Sequence, residues 1–91
     1  MIKIIYRDTA EADLKEIETY YNEISPHANL RVFNDIHGAI HTLQLFPRAG
    51  RKLPDGRRRF VSSQFRFVIS HKTYNDRIEI VGVYRHQNRK S

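Results

Sequence analysis

The run Arg57-Arg58-Arg59-Phe60-Val61-Ser62-Ser63-Gln64-Phe65-Arg66-Phe67-Val68-Ile69-Ser70-His71, followed after a polar break at Tyr74-Asn75-Asp76-Arg77 by Ile78-Glu79-Ile80-Val81-Gly82-Val83-Tyr84-Arg85-His86, decides the fold. Aromatic and β-branched residues suit a pleated surface, and Asn and Asp tolerate the backbone of a tight turn, so the two runs predict a β-hairpin. Strands are expected over Arg58 to Val61, Phe65 to Lys72 and Ile78 to Tyr84. Period-two alternation in the middle strand puts Phe65, Phe67 and Ile69 on one face and Arg66, Val68 and Ser70 on the other. Arg66 is then expected on the open side of the sheet, available to a phosphate or to a sheet-face carboxylate such as Glu79.

Upstream of this stretch the period changes. Ile2 to Tyr6 is a short apolar run with strand character, ended by Arg7-Asp8. Asp8 followed by Glu11 has the spacing of a capping box, which predicts a helix start. Ala10, Leu14, Ile17, Tyr21 and Ile24 recur at helical spacing, while Glu11, Lys15, Glu18 and Glu23 fall on the opposite side. Ser25-Pro26 stops that helix and starts another, because proline cannot continue a helix but suits the first position behind a serine cap. Ala28, Val32, Ile36, Ala39, Ile40 and Leu43 form a second stripe that runs out at Phe46-Pro47. Helices joined so tightly fold back as an antiparallel hairpin, and both stripes need a further surface, which the sheet supplies. Pro47 to Gly56 reads as a loop. The fold class is therefore α+β: an N-terminal strand, an antiparallel two-helix hairpin, then a three-stranded antiparallel stretch completing one sheet.

Ninety-one residues, 40% of them hydrophobic, suit one domain over residues 1–91 with a single small core. Sixteen Lys and Arg against ten Asp and Glu give a net charge of +6, which favours polyanions or acidic protein segments as partners. The chain has no cysteine, which excludes disulfides, thiolate nucleophiles and zinc–thiolate sites and suits a reducing compartment. No secretion signal is read at the N-terminus, and no apolar run approaches the roughly 20 residues of a membrane span, so the expectation is a cytoplasmic protein without a membrane partner.

Other constellations carry little chemistry. His37 and His41 have the spacing of two metal ligands on one helix face, but the glutamate of a His-Glu-x-x-His motif and a third ligand are missing, so no metal is expected. Ala49-Gly50-Arg51-Lys52 lacks the spacing of a phosphate-binding loop, and no Gly-x-Ser-x-Gly is present; no cofactor is implied. Tyr20-Tyr21 reads as core packing, Arg57-Arg58-Arg59 equally as a solvated charge run or an anion contact, and Arg89-Lys90-Ser91 as a disordered tail.

Several local patterns occur in an order that points to one family: Ala12-Asp13-Leu14 with Ile17 and Tyr20-Tyr21, Ser25-Pro26 with Ala28, Leu43 with Phe46-Pro47 and Gly50-Arg51, Phe65-Arg66-Phe67-Val68-Ile69, and Val83-Tyr84-Arg85-His86. Together they resemble the ParE branch of the RelE/ParE toxin superfamily, the toxins of type II toxin–antitoxin, plasmid-stabilisation-type modules. The resemblance covers nearly the whole chain. It implies a cognate antitoxin as partner in a hetero-oligomer. For the ParE branch it implies DNA gyrase as target, and for the RelE branch ribosome-dependent cleavage of mRNA.

A metal-free ribonuclease needs a base, cationic clamps and an acid in one cleft. By resemblance Arg66 matches a phosphate-clamping strand arginine and His86 a C-terminal catalytic histidine. The aromatic residue that usually follows that histidine is replaced by Gln87, and no tyrosine follows before Ser91. Lys52 and Glu79 are base candidates by residue type only. These departures favour the gyrase-binding reading, a poison rather than an enzyme, over the endoribonuclease alternative and over a non-toxic nucleic-acid-binding module. The candidate target-binding residues are Arg57, Arg58, Arg59, Arg66, Arg85, His86 and Arg89. Arg66 and His86 would be catalytic if the nuclease alternative held.

Overall fold

A computed structural model describes residues 1–85 of the chain. In order, the elements are β1 (Lys3–Tyr6), α1 (Asp8–Ile24), α2 (Pro26–Leu45), β2 (Arg51–Lys52), β3 (Arg58–Val61), β4 (Phe67–Thr73) and β5 (Arg77–Arg85). They build one mixed sheet of order β1-β5-β4-β3-β2, in which β1 runs parallel to β5 and the other pairings are antiparallel. The α+β order of strand, helical hairpin and antiparallel strands is as expected, and the β4–β5 turn closes through Tyr74 N–H on the Arg77 carbonyl at 2.8 Å.

The helix junction forms as the sequence dictates. Ser25 is extended, its Oγ accepts the Ala28 N–H at 2.9 Å, and Pro26 occupies the first turn of α2; such a cap stabilises a helix by about 1 kcal/mol. The capping box at Asp8 does not form. Arg7 is the residue that caps α1, without a side-chain bond, and Asp8 is the first helical residue. Here tertiary contacts replace the local cap: Arg7 N–H donates to Ile80 O at 3.0 Å, and the Thr9 hydroxyl donates to Val81 O.

The core lies between the helical hairpin and one face of the sheet. Ala10 of α1, then Val32, Ile36, Ala39, Ile40 and Leu43 of α2, pack with Phe67, Ile69, Ile78, Ile80 and Val83 in one cluster. Burying each large side chain of this kind contributes about 1.5–3 kcal/mol. Leu14, Ile17 and Tyr21 sit at its margin, whereas Ile24, the last residue of its stripe and of α1, is exposed.

Two departures from regular pairing matter later. Within the expected Pro47–Gly56 loop, Arg51–Lys52 pairs with Arg58 and Arg59 as a fifth, edge strand. In β5, Ser70 pairs with Gly82 but His71 with Ile80, so Val81 is an extra residue, a β-bulge. Side chains of α1 occupy the backbone groups at this bulge: besides Thr9 on Val81 O, Asp13 Oδ2 accepts the Val83 N–H at 3.0 Å. The bulge thereby fixes α1 to the sheet.

Candidate functional site

Arg66 is not in a strand. β4 begins at Phe67, and Arg66 closes the β3–β4 loop with φ of 59°, the left-handed region. That backbone costs a non-glycine residue about 1–2 kcal/mol. The loop is held shut by buried Ser62, whose N–H donates to Phe67 O at 2.8 Å and whose Oγ accepts the Phe67 N–H at 2.8 Å. Ser62 Oγ donates in turn to Asp35 Oδ2 at 2.6 Å, and the same carboxylate accepts the N–H groups of Phe65 at 2.7 Å and Gln64 at 3.1 Å. Three donors from the loop thus converge on one side chain of α2. Phe65 packs at the edge of the core, with the Arg31 guanidinium 5.7 Å above its ring centroid, and Arg66 is exposed. The loop also borders a groove of about 430 Å³ walled by Asn34, Gly38, Thr42 and Val61.

The expected alternation around Arg66 therefore fails. Phe67 and Ile69 face the helices as anticipated, but Phe65 and Arg66 precede the strand. The anticipated Arg66–Glu79 ion pair does not form either. Glu79 is clasped by Arg7 (2.7 Å) and Arg77 (2.7 Å) at the other end of the sheet. The hydrogen bond from Arg77, then that from Arg7, holds the Glu79 carboxyl below its ordinary range, and the same bonds raise both guanidinium pKa values.

Arg85 pairs in register with Phe67, so it lies at the same end of the sheet as Arg66. Its side chain turns to the helix side: the guanidinium sits 5.5 Å from the Phe67 ring centroid, and Nη1 donates to the Tyr21 hydroxyl at 2.6 Å. Arg85 Nε is buried without an acceptor among the described residues. Tyr21 therefore packs against the core and also orients an arginine, which its stripe position alone did not reveal. Tyr20, expected in the core, is exposed and packs edge-on against Tyr21. A groove of about 550 Å³ opens here, walled by Asp13, Glu16, Ile17, Tyr20 and Val83 around Arg85. His86 and Arg89, named with Arg66 and Arg85 as one cluster, lie outside the described residues, as does the expected tail.

The arginine run is divided among three environments. Arg57 bonds to Asp55 at 2.8 Å within the turn before β3, and the backbone N–H of Arg57, the largest cause, lowers the Asp55 pKa. Arg58 Nη1 donates to the carbonyls of Gly50 (2.9 Å) and Arg48 (3.4 Å) and fastens the β2 loop. Arg59 stands opposite Arg51 in the edge pair, and its Nε is buried with no acceptor among the described residues. Lys52, a base candidate, is exposed on edge strand β2, remote in the sheet order from Glu79 on β5.

His71 escaped the sequence reading. It is fully buried, with Nδ1 2.8 Å from Ile69 O, which assigns the proton to Nδ1 and leaves Nε2 bare against Gly50. Burial pushes its pKa down against the opposing hydrogen bond to Ile69 O, and the charge of Arg58 adds to the lowering. His37 and His41 are exposed on α2, and among the described residues no group of three His, Cys, Asp or Glu could hold a metal ion. No helix among them is long and apolar enough to cross a membrane.

Comparison with curated proteins finds no match. The chain is similar to a solved structure titled "Chromosomal ParDE TA system from P. aeruginosa", with 27% identity, 93% of this chain and 96% of that chain covered, and a TM-score of 0.77. The family model described as "ParE toxin of type II toxin-antitoxin system, parDE" matches residues 4–89. With nearly the whole sequence and the whole strand–hairpin–sheet order accounted for, the chain belongs to the ParE toxin family of type II toxin–antitoxin systems.

Proposed function

We propose that this ParE-family chain inhibits DNA gyrase in the cytoplasm by binding and stalling it rather than by chemistry of its own, and that a cognate antitoxin neutralises it in a hetero-oligomer. The observation that carries the reading is the distribution of charge. Arg66 and Arg85 stand at one end of the sheet, Arg66 exposed and Arg85 held on the helix side by the Tyr21 hydroxyl. The groups a nuclease would need as base stand elsewhere: Lys52 is on the far edge, and Glu79 is at the other end of the sheet with both carboxylate oxygens engaged by Arg7 and Arg77. What remains is a cationic docking surface.

The antitoxin is expected to place acidic residues across the edge formed by Arg51 and Arg59. Arg57 and Arg58 are already engaged internally, whereas Arg51 is exposed on this edge with Arg59 part-exposed opposite it. Affinity should then fall steeply with salt; an affinity equal at low and high salt contradicts this placement. The gyrase reading is tested by DNA supercoiling with purified gyrase in the absence of ribosomes, wild type beside His86→Gln. A docking arginine cluster predicts partial inhibition by His86→Gln. An endoribonuclease with Arg66 as phosphate clamp and His86 as general acid predicts unaffected gyrase and complete loss of mRNA cleavage in that variant.

A further inference from the structure

We propose that the β3–β4 loop is a pre-formed contact for duplex DNA, in which Asp35 is a positioning residue that holds Arg66 ready for a backbone phosphate. This goes beyond the gyrase reading and does not depend on it.

The first step is the backbone. Glycine or asparagine would occupy a left-handed position more cheaply than arginine, yet position 66 carries arginine at φ 59°. Strain at a non-glycine residue persists only where the surroundings enforce it. Here they do, since Asp35 collects Ser62 Oγ, Gln64 N–H and Phe65 N–H, and Ser62 completes the closure through Phe67. The fold gains nothing from the Arg66 side chain, which is exposed and makes no ion pair among the described residues. Position 66 therefore presents an exposed guanidinium on a loop whose backbone ordering cost is met before any partner arrives.

The second step is the chemistry of the partner. Exposed Arg31 over Phe65 lies beside the same loop, and the loop's other exposed side chains, Ser63 and Gln64, are neutral hydrogen-bonding groups. Guanidinium forks with hydroxyl and amide donors are the groups that contact phosphate and sugar. Protein hot spots centre on Trp, Tyr and Arg in well-packed, desolvated pockets; the loop has no Trp or Tyr, its Phe65 is half-buried beneath Arg31, and Arg66 stands exposed. Asp35, the nearby carboxylate, already spends both oxygens on loop donors. The net charge of +6 adds a general attraction to the duplex.

The test is fluorescence anisotropy of a short labelled duplex of arbitrary sequence with the full chain, over a salt series and without gyrase. Arg66→Gly relieves the strained backbone, so its Tm should rise while affinity falls about fivefold and the salt slope loses about 0.9, one phosphate's worth. Lys15→Ala, which removes an exposed charge from α1, should keep the wild-type slope. Asp35→Asn should weaken binding, and the double variant with Arg66→Gly should bind no worse than Arg66→Gly alone, because both act through one guanidinium. Unchanged affinity and slope in Arg66→Gly would overturn the proposal. So would a wild-type chain that ignores duplex DNA and binds an acidic polypeptide instead.

Discussion

Two glycines of this chain should respond in opposite directions to the same added methyl group. A Cβ at Gly50 would stand 2.9 Å from His71 Cε1, 3.1 Å from His71 Nε2 and 3.1 Å from the Arg59 carbonyl oxygen. Neither neighbour can yield cheaply, since the imidazole is fully buried and fixed by its bond to Ile69 O, and the carbonyl belongs to a paired strand. Overpacking of this kind costs about 1–3 kcal/mol. Gly50 has no left-handed backbone, so alanine also restricts the unfolded chain, a gain of about 0.4–1 kcal/mol. The net expectation for Gly50→Ala is a loss of about 1–2 kcal/mol, or roughly 5–15 °C in Tm for a domain of this size. Gly38, inside α2, has nothing within 4 Å of its would-be Cβ, so Gly38→Ala should gain about 0.5–1 kcal/mol from helix propensity. Thermal and urea unfolding of the two variants read both signs. A Gly50→Ala protein as stable as wild type would refute the tight His71–Gly50–Arg59 packing.

Other outcomes follow from the polar network. Asp35→Ala leaves the Ser62 hydroxyl and the Phe65 N–H without their acceptor and should cost about 2–4 kcal/mol in urea unfolding; a loss below about 1 kcal/mol would mean that water replaces the carboxylate without penalty. Because the folded-state pKa of His71 is depressed below 6.5, the unfolded chain binds a proton that the folded chain refuses. Stability should be complete above that value and decline as pH falls through it, and His71→Gln should flatten that slope in Tm measured against pH. Glu79 and Asp55 act on the acid side: their folded pKa values lie below 4.5 and 3.8, so their contribution is present above those values and lost on further acidification. Glu79→Gln should remove its share of that acid-side slope.

The sequence made the helices and the β4–β5 hairpin legible because their signals are local. The 3.6-residue stripes from Ala10 to Tyr21 and from Val32 to Leu43, Ser25-Pro26 and the Asn75-Asp76 turn each act within a few residues. What it concealed depends on partners far along the chain. Asp35 meets Ser62 and Phe65, and Thr9 and Asp13 meet the bulge around Val81 and Val83; no spacing rule connects such positions. Two traces were present. Asp35 is the one carboxylate of α2 and sits mid-helix, where aspartate is disfavoured unless its side chain is used elsewhere. Ser62-Ser63 between Val61 and Phe65 is turn chemistry that interrupts a strand. Arg66 was misplaced because arginine gives no hint of a left-handed backbone, and the aromatic alternation of Phe65 and Phe67 carries across the loop unchanged. The Asp8 capping box had the right spacing, but Arg7 and Thr9 already dock on β5.

The central claim is that this ParE-family chain acts on gyrase through a cationic surface that includes Arg66 and Arg85. The most direct measurement is supercoiling of relaxed plasmid by purified gyrase with increasing amounts of the chain, scoring supercoiled and cleaved DNA together, with Arg66→Ala and Arg85→Ala in parallel. The account predicts loss of supercoiling with accumulation of cleaved DNA for wild type, and a higher dose for the same effect in either variant. Gyrase that supercoils normally at large molar excess of the wild-type chain would contradict it.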